Sequence, residues 1–134
     1  YYYTLSANCN DVRAQYQLAK IYNDGYYVPR DIKKTYFYSE LAAQNNDLYS
    51  LNNLGIEYYN GNDIPRNINK AFYYLTKAAN QNFALAQKNL GDIYYEGRYV
   101  PRDIKKAIYY YNLAANLDDE ISQYNLGMIY FNGK

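Results

Sequence analysis

Few residues in this chain of 134 have the types and spacing that chemistry requires. Asp118, Asp119 and Glu120 form one acidic run, and neighbouring carboxylates are a common start for a divalent-cation site. The run falls between two apolar segments, where a solvated turn is the simpler reading. Cys9 is the single thiol, and a nucleophilic cysteine needs a base or a positive neighbour to hold it as thiolate. The sequence contains no histidine, so the commonest general base and metal ligand is missing. A phosphate-binding loop needs clustered glycines, whereas Gly25, Gly61, Gly97 and Gly133 are solitary and 36 residues apart. The chain is therefore read as no enzyme, with no cofactor and no metal site.

Charge and composition narrow the choice further. With 14 basic and 13 acidic residues the net charge is +1, too balanced for a nucleic-acid binder, which needs a field of one sign. No apolar run approaches the roughly 18–20 residues of a membrane span. One cysteine cannot form an internal disulfide, so packing must hold the fold. Ser and Thr are scarce and no Asn begins an Asn-X-Ser/Thr acceptor site, which favours a cytoplasmic location.

Residues suited to recognition are better represented. Tyr16, Asn52, Lys88 and Tyr124 occupy one position of a 36-residue period; Lys20, Ile56, Asp92 and Met128 occupy another. Both series change in size and charge from copy to copy, as a surface reading one particular partner would. Beside them runs a near-constant row of amides, Gln17, Asn53, Asn89 and Asn125, able to donate to and accept from a peptide backbone or a carboxylate. The alternative for that row is helix packing, and both readings stand. Tyr59 and Tyr95, like Tyr16 and Tyr124, lie off the main apolar stripe and suit either anchoring of a peptide or simple packing. Arg30, Lys33, Lys34, Arg66, Lys70, Arg102, Lys105 and Lys106 form a recurring basic series. It would either meet an acidic segment or merely solvate the turns, with Arg30 and Arg102 pairing locally.

These residues are placed by a repeat. The string YVPRDIKK occurs at 27–34 and again at 99–106, with DIPRNINK at 63–70 between them. Leu18, Leu54, Leu90 and Leu126 keep the same interval of 36, as do Tyr22, Tyr58, Tyr94 and Tyr130. Ala14, Leu18, Ile21 and Tyr22 have the spacing of one helical stripe, which the glycines end by taking left-handed backbone. Pro29 keeps Val28 out of the helical region, and Asp31, Asn67 and Asp103 stand where an N-cap is expected. A second helix follows with Ile32, Tyr36, Phe37 and Leu41, and ends near Asn46, Asn82 or Asp118. Gly55, Gly91 and Gly127 sit inside the first helix, where glycine costs about 1 kcal/mol against alanine. Such a cost implies an aromatic ring lying over the missing Cβ. Tyr22, Tyr58, Tyr94 and Tyr130, with Tyr38, Tyr74 and Tyr110, are expected in the core.

Ala/Ser-x-x-x-Leu-Gly-x-x-Tyr-x-x-Gly, Val-Pro-x-Asp-x-x-Lys-Ala and Tyr-Tyr-x-x-Ala-Ala together resemble the Sel1-like repeat, a relative of the tetratricopeptide repeat. The departures are mild: Thr35 replaces a usual Ala, and Asn46, Asn82 and Asp118 replace a usual Gly. The resemblance implies an all-α fold, a right-handed α-solenoid of antiparallel helix pairs. Full repeats are expected at 14–49, 50–85 and 86–121, with a truncated second helix over 1–13 and a lone first helix over 122–134. The whole reads as a slice of a longer array whose cut ends could stack end to end. It further implies a protein–protein interaction scaffold that binds a partner protein or extended peptide on a concave face. The residues expected there are Tyr16, Lys20, Asn52, Asn53, Ile56, Lys88, Asn89, Asp92, Tyr124, Asn125 and Met128. A regulatory or targeting arm of a larger enzyme, such as a protein kinase, is the alternative.

Overall fold

A computed structural model describes residues 11–132. Cys9, Gly133 and the truncated helix expected ahead of residue 11 lie outside the described residues. The chain divides into two compact units, 1–66 and 67–134. The first holds α1 (Val12–Asp24), α2 (Ile32–Gln44) and α3 (Leu48–Asn60); the second holds α4 (Ile68–Ala79), α5 (Ala84–Glu96), α6 (Ile104–Ala115) and α7 (Glu120–Phe131). No strand occurs among the described residues. Within each unit, consecutive helices pack on one another.

Capping explains where these helices start. Asp31, Asn67 and Asp103 accept from the backbone N–H of Lys34, Lys70 and Lys106, as expected. Asp11, Asp47 and Asp119 do the same for α1, α3 and α7, so these helices begin two residues ahead of the expected repeat boundaries. Asp119 is thereby a cap rather than part of a free acidic turn. Phe83 stands at the corresponding point of α5, which has no side-chain cap.

The elbow after each first helix is a tight fold-back. Gly25, Gly61 and Gly97 have φ of 71°, 68° and 63°, and a Cβ there would meet the Cβ of Arg30, Arg66 and Arg102 at 3.2, 2.8 and 2.7 Å. The arginines earn that closeness: their Nε atoms donate to the carbonyls of Asn23, Tyr59 and Tyr95, closing the helix C-terminus. The turns between repeats pass through Asn46, Asn82 and Asp118 at φ of 69°, 61° and 66°.

Leu18, Leu54, Leu90 and Leu126 are buried, as are Ala42, Ala43, Ala78, Ala79 and Ala114. The tyrosines depart from expectation. Tyr22, Tyr58 and Tyr94 are half-buried and Tyr130 is 59% exposed. Tyr22 stacks on Tyr38 and Tyr94 on Tyr110, each at 6.0 Å between centroids, an arrangement that buries ring faces. Lys34 and Lys106 cover the outer faces of Tyr22 and Tyr94 at 5.0 and 5.1 Å. Phe37 is exposed rather than core, in register with exposed Tyr73 and Tyr109. Among the described residues the buried tyrosines are instead Tyr59 and Tyr111.

Candidate partner-binding face

The first helices carry every residue expected on the concave face. On α1, Lys20 is exposed while Tyr16 is half-buried against Tyr49, ring centroids 5.9 Å apart. Burial and the nearby Asp47 carboxylate push the Tyr16 phenol up from its ordinary value of 10.0. On α3, Asn53 is exposed and Ile56 half-buried, but Asn52 is only 3% exposed and faces the interior. Tyr59 is likewise buried, which removes it from any peptide-anchoring set. On α5, Lys88, Asn89 and Asp92 are half-buried; on α7, Tyr124 and Met128 are exposed and Asn125 is half-buried.

Three of these residues are drawn into one internal network. Lys88 Nζ lies 2.8 Å from Asp92 Oδ2, one helical turn apart on α5. The other Asp92 oxygen accepts from the hydroxyl of Tyr111 on α6, and the Asn125 side chain of α7 hydrogen-bonds that same hydroxyl. Tyr111 is 2% exposed, and burial followed by the Asp92 contact raises its phenol far above 10.0. Its ring covers Gly91, where an added Cβ would stand 2.7 Å from Cδ1 and Cε1. The expected roof over a first-helix glycine thus exists at Gly91, while Gly127 has nothing within 4 Å of an added Cβ. Reversing Asp92 would therefore disturb packing, contrary to the idea that this position serves recognition alone.

The Sel1 repeat family model matches residues 12–47, 48–83, 84–119 and 121–134. The chain belongs to the Sel1 repeat family. Its helices align with a protective antigen of uropathogenic Escherichia coli strains that displays the same repeat fold, at 28% identity and a TM-score of 0.91, over 98% of this chain. The chain spans 28% of that antigen's length. A Sel1 repeat protein from Oxalobacter formigenes matches at 26% identity and TM-score 0.82, covering 93% of this chain and 94% of the other. Cysteine-rich protein B of Helicobacter pylori matches at 25% and 0.66, covering 90% and 86%. No curated protein matches the sequence. The fold class is accordingly the all-α helical-repeat solenoid, and proteins of this family commonly serve as non-catalytic scaffolds for protein interaction.

In this Sel1 repeat protein the most informative residue missed by sequence reasoning is Tyr111. A signal for it was present: Asp92 is the one acid in its series, and the position equivalent to Tyr111 holds Leu75 and Ser39 in the preceding copies. Variation at position 92 therefore tracks a packing partner. The basic series resolves the same way in unit one, where Arg30 pairs with Asp63 at 3.2 Å and with Asn23. Among the described residues no group of His, Cys, Asp and Glu could hold a metal, and no helix is long and apolar enough to cross a membrane.

Proposed function

We propose that this chain is a non-catalytic scaffold that binds a partner protein or extended peptide through the concave, first-helix face of its repeats. The observation that carries this reading is a contrast between two sets of first-helix residues. The recurring leucines and alanines are buried, whereas Lys20, Asn53, Tyr124 and Met128 stay exposed and the series they belong to, the amide row apart, change from copy to copy. A tyrosine and a methionine supply apolar contact area, and Lys20 and Asn53 supply polar specificity. Asn52, buried in α3, and Asp92, engaged by Tyr111, support that surface from beneath.

The test is affinity capture of the partner from source lysate, then binding of that partner to purified variants. Lys20→Glu and Tyr124→Ala should each weaken it about tenfold or more, at the scale of an anchoring contact. Helical content and melting temperature should stay put, because both side chains face solvent. Unchanged affinity in both variants would place recognition elsewhere on the molecule.

A further inference from the structure

The net charge of +1 conceals a separation of charge between the two kinds of helix. The second helices, α2, α4 and α6, carry six lysines and one carboxylate, Glu40. Glu40 is half-buried and accepts from the Tyr58 hydroxyl. Every other acid lies on a first helix, at a cap or in a turn. The same second helices hold Phe37, Tyr73 and Tyr109 in one register, 58, 61 and 58% exposed. Each ring stands edge-on against its neighbour, Tyr38, Tyr74 or Tyr110, at 5.1, 5.3 and 5.1 Å. Like exposure in all three copies makes it a property of the register rather than of a copy's place in the chain. Single exposed rings are ordinary, but these form a pattern, each one turn beyond exposed Lys33–Lys34, Asn69–Lys70 or Lys105–Lys106. Unit two shows it most fully. On α4, Lys70, Tyr73 and Lys77 follow i, i+3, i+7 spacing, a stripe along one side of the helix. On α6, Lys105, Lys106 and Tyr109 take the same register, and neither helix carries an acid. Tyr94 on α5 packs on Phe72 at 5.6 Å and stacks on Tyr110 at 6.0 Å, which joins the two helices through one aromatic cluster.

We propose that this second-helix face docks on an anionic lipid bilayer, its lysines at the charged headgroup oxygens and its rings at headgroup depth. Charge sets the sign: the four lysines of α4 and α6, with no acid on either helix, meet a negative surface, and each adds to the attraction. Ring and cation together set the class. Tyrosine has an apolar body and a polar tip that suit the membrane–water boundary, and lysine reaches headgroups along its own stem. Because the stripes run along the helices, α4 and α6 lie parallel to the surface. Their apolar sides are taken by the core, at Ala71, Leu75 and Ala78 and at Ala107, Tyr111 and Ala114. Only the rings therefore enter, and binding is peripheral and salt-sensitive. Side chains that project singly from a helix suit a yielding layer, whereas a folded protein would need a matching hollow for each. A nucleic acid fits less well, since Lys77 already lies over the Tyr73 ring at 5.9 Å, where a base would stack. This surface is separate from the first-helix face assigned to the protein partner, so either reading can fail alone.

The probe is a vesicle of phosphatidylcholine and phosphatidylserine in equal parts, sedimented with the full 134-residue chain at low salt. The chain should pellet with these vesicles. It should stay in solution with phosphatidylcholine alone, and in about 1 M salt, where the screening length falls to about 3 Å. Lys70→Gln and Lys105→Gln should each weaken binding about fivefold, and the pair Tyr73→Ser and Tyr109→Ser about tenfold. Circular dichroism should match the parent's, because all four side chains are exposed. Lys105→Arg keeps the charge and should bind as the parent does. Lys20→Gln removes the same charge from a first helix and should leave binding unchanged. Equal binding to phosphatidylcholine alone, indifference to salt, or an equal loss with Lys20→Gln would overturn the proposal. Retention on polyuridylate or polyglutamate beads without vesicle sedimentation would give the face to a nucleic acid or an acidic protein and end the lipid reading.

Discussion

Between α2 and α3 the Tyr36 hydroxyl donates to Glu57 at 3.0 Å and the Tyr58 hydroxyl to Glu40 at 2.8 Å; between α6 and α7 the same four positions hold Ile108, Ile129, Tyr130 and Asn112. Ile129 is buried there with Ala107, Tyr111 and Leu126, and Ile108 packs against that cluster. The pair Tyr36–Glu57 of the first unit is thus replaced in the second by the aliphatic pair Ile108–Ile129, while Tyr58–Glu40 becomes Tyr130 and Asn112 and loses its carboxylate. The lesson is that the repeat demands bulk at these points and leaves its chemistry free. An aliphatic contact derives its strength from area removed from water and is indifferent to pH. A phenol donating to a carboxylate contributes about 1 kcal/mol net and is lost when the phenol ionises.

The largest expected effect follows from that contrast. Ile129→Ala should cost about 2–4 kcal/mol in chemical denaturation, because it removes a buried branched side chain and leaves a cavity. A loss under 1 kcal/mol would mean that α7 contributes little to the second unit. Next comes Gly91→Ala. Its methyl would meet the Tyr111 ring at 2.7 Å, and a ring held by Asp92 and Asn125 gives way poorly, so overpacking should cost about 1–3 kcal/mol despite the better helix propensity. Its counterpart Gly127→Ala meets nothing within 4 Å and should instead stabilise α7 by up to about 1 kcal/mol. Opposite signs for the same substitution, 36 residues apart, would be read directly from the two denaturation midpoints.

Tyr36→Phe should cost about 1 kcal/mol, since it deletes one donor at a half-exposed carboxylate that water can re-solvate. The mildest effect should appear on raising the pH. Burial, then the hydrogen bond to Glu40, pushes the Tyr58 phenol up to about 12 from its ordinary 10.0. Because the folded state holds this proton more tightly, its contribution is complete below pH 10 and drains away between about 10 and 12. Hydrogen exchange should accordingly show the α2–α3 amides losing protection over that range ahead of those between α6 and α7. Simultaneous loss in both interfaces would mean that the phenol pairs are not what distinguishes them.

The sequence alone determined the period of 36, the helix–elbow–helix unit, the caps at Asp31, Asn67 and Asp103, and the left-handed turns at Asn46, Asn82 and Asp118. These features are local: a capping carboxylate acts within three residues, and a left-handed backbone needs only a residue that tolerates it. Tertiary structure alone decided that Asn52 and Tyr59 turn inward, that Phe37 and Tyr130 face solvent, and that Asp92 is spent on Tyr111. Helical spacing assigns a residue to a face but not to a depth, because depth depends on what the next helix brings. The second helix of each repeat varies from copy to copy, so a change at one first-helix position is answered across the interface by a residue 19 positions later, as Asp92 is by Tyr111.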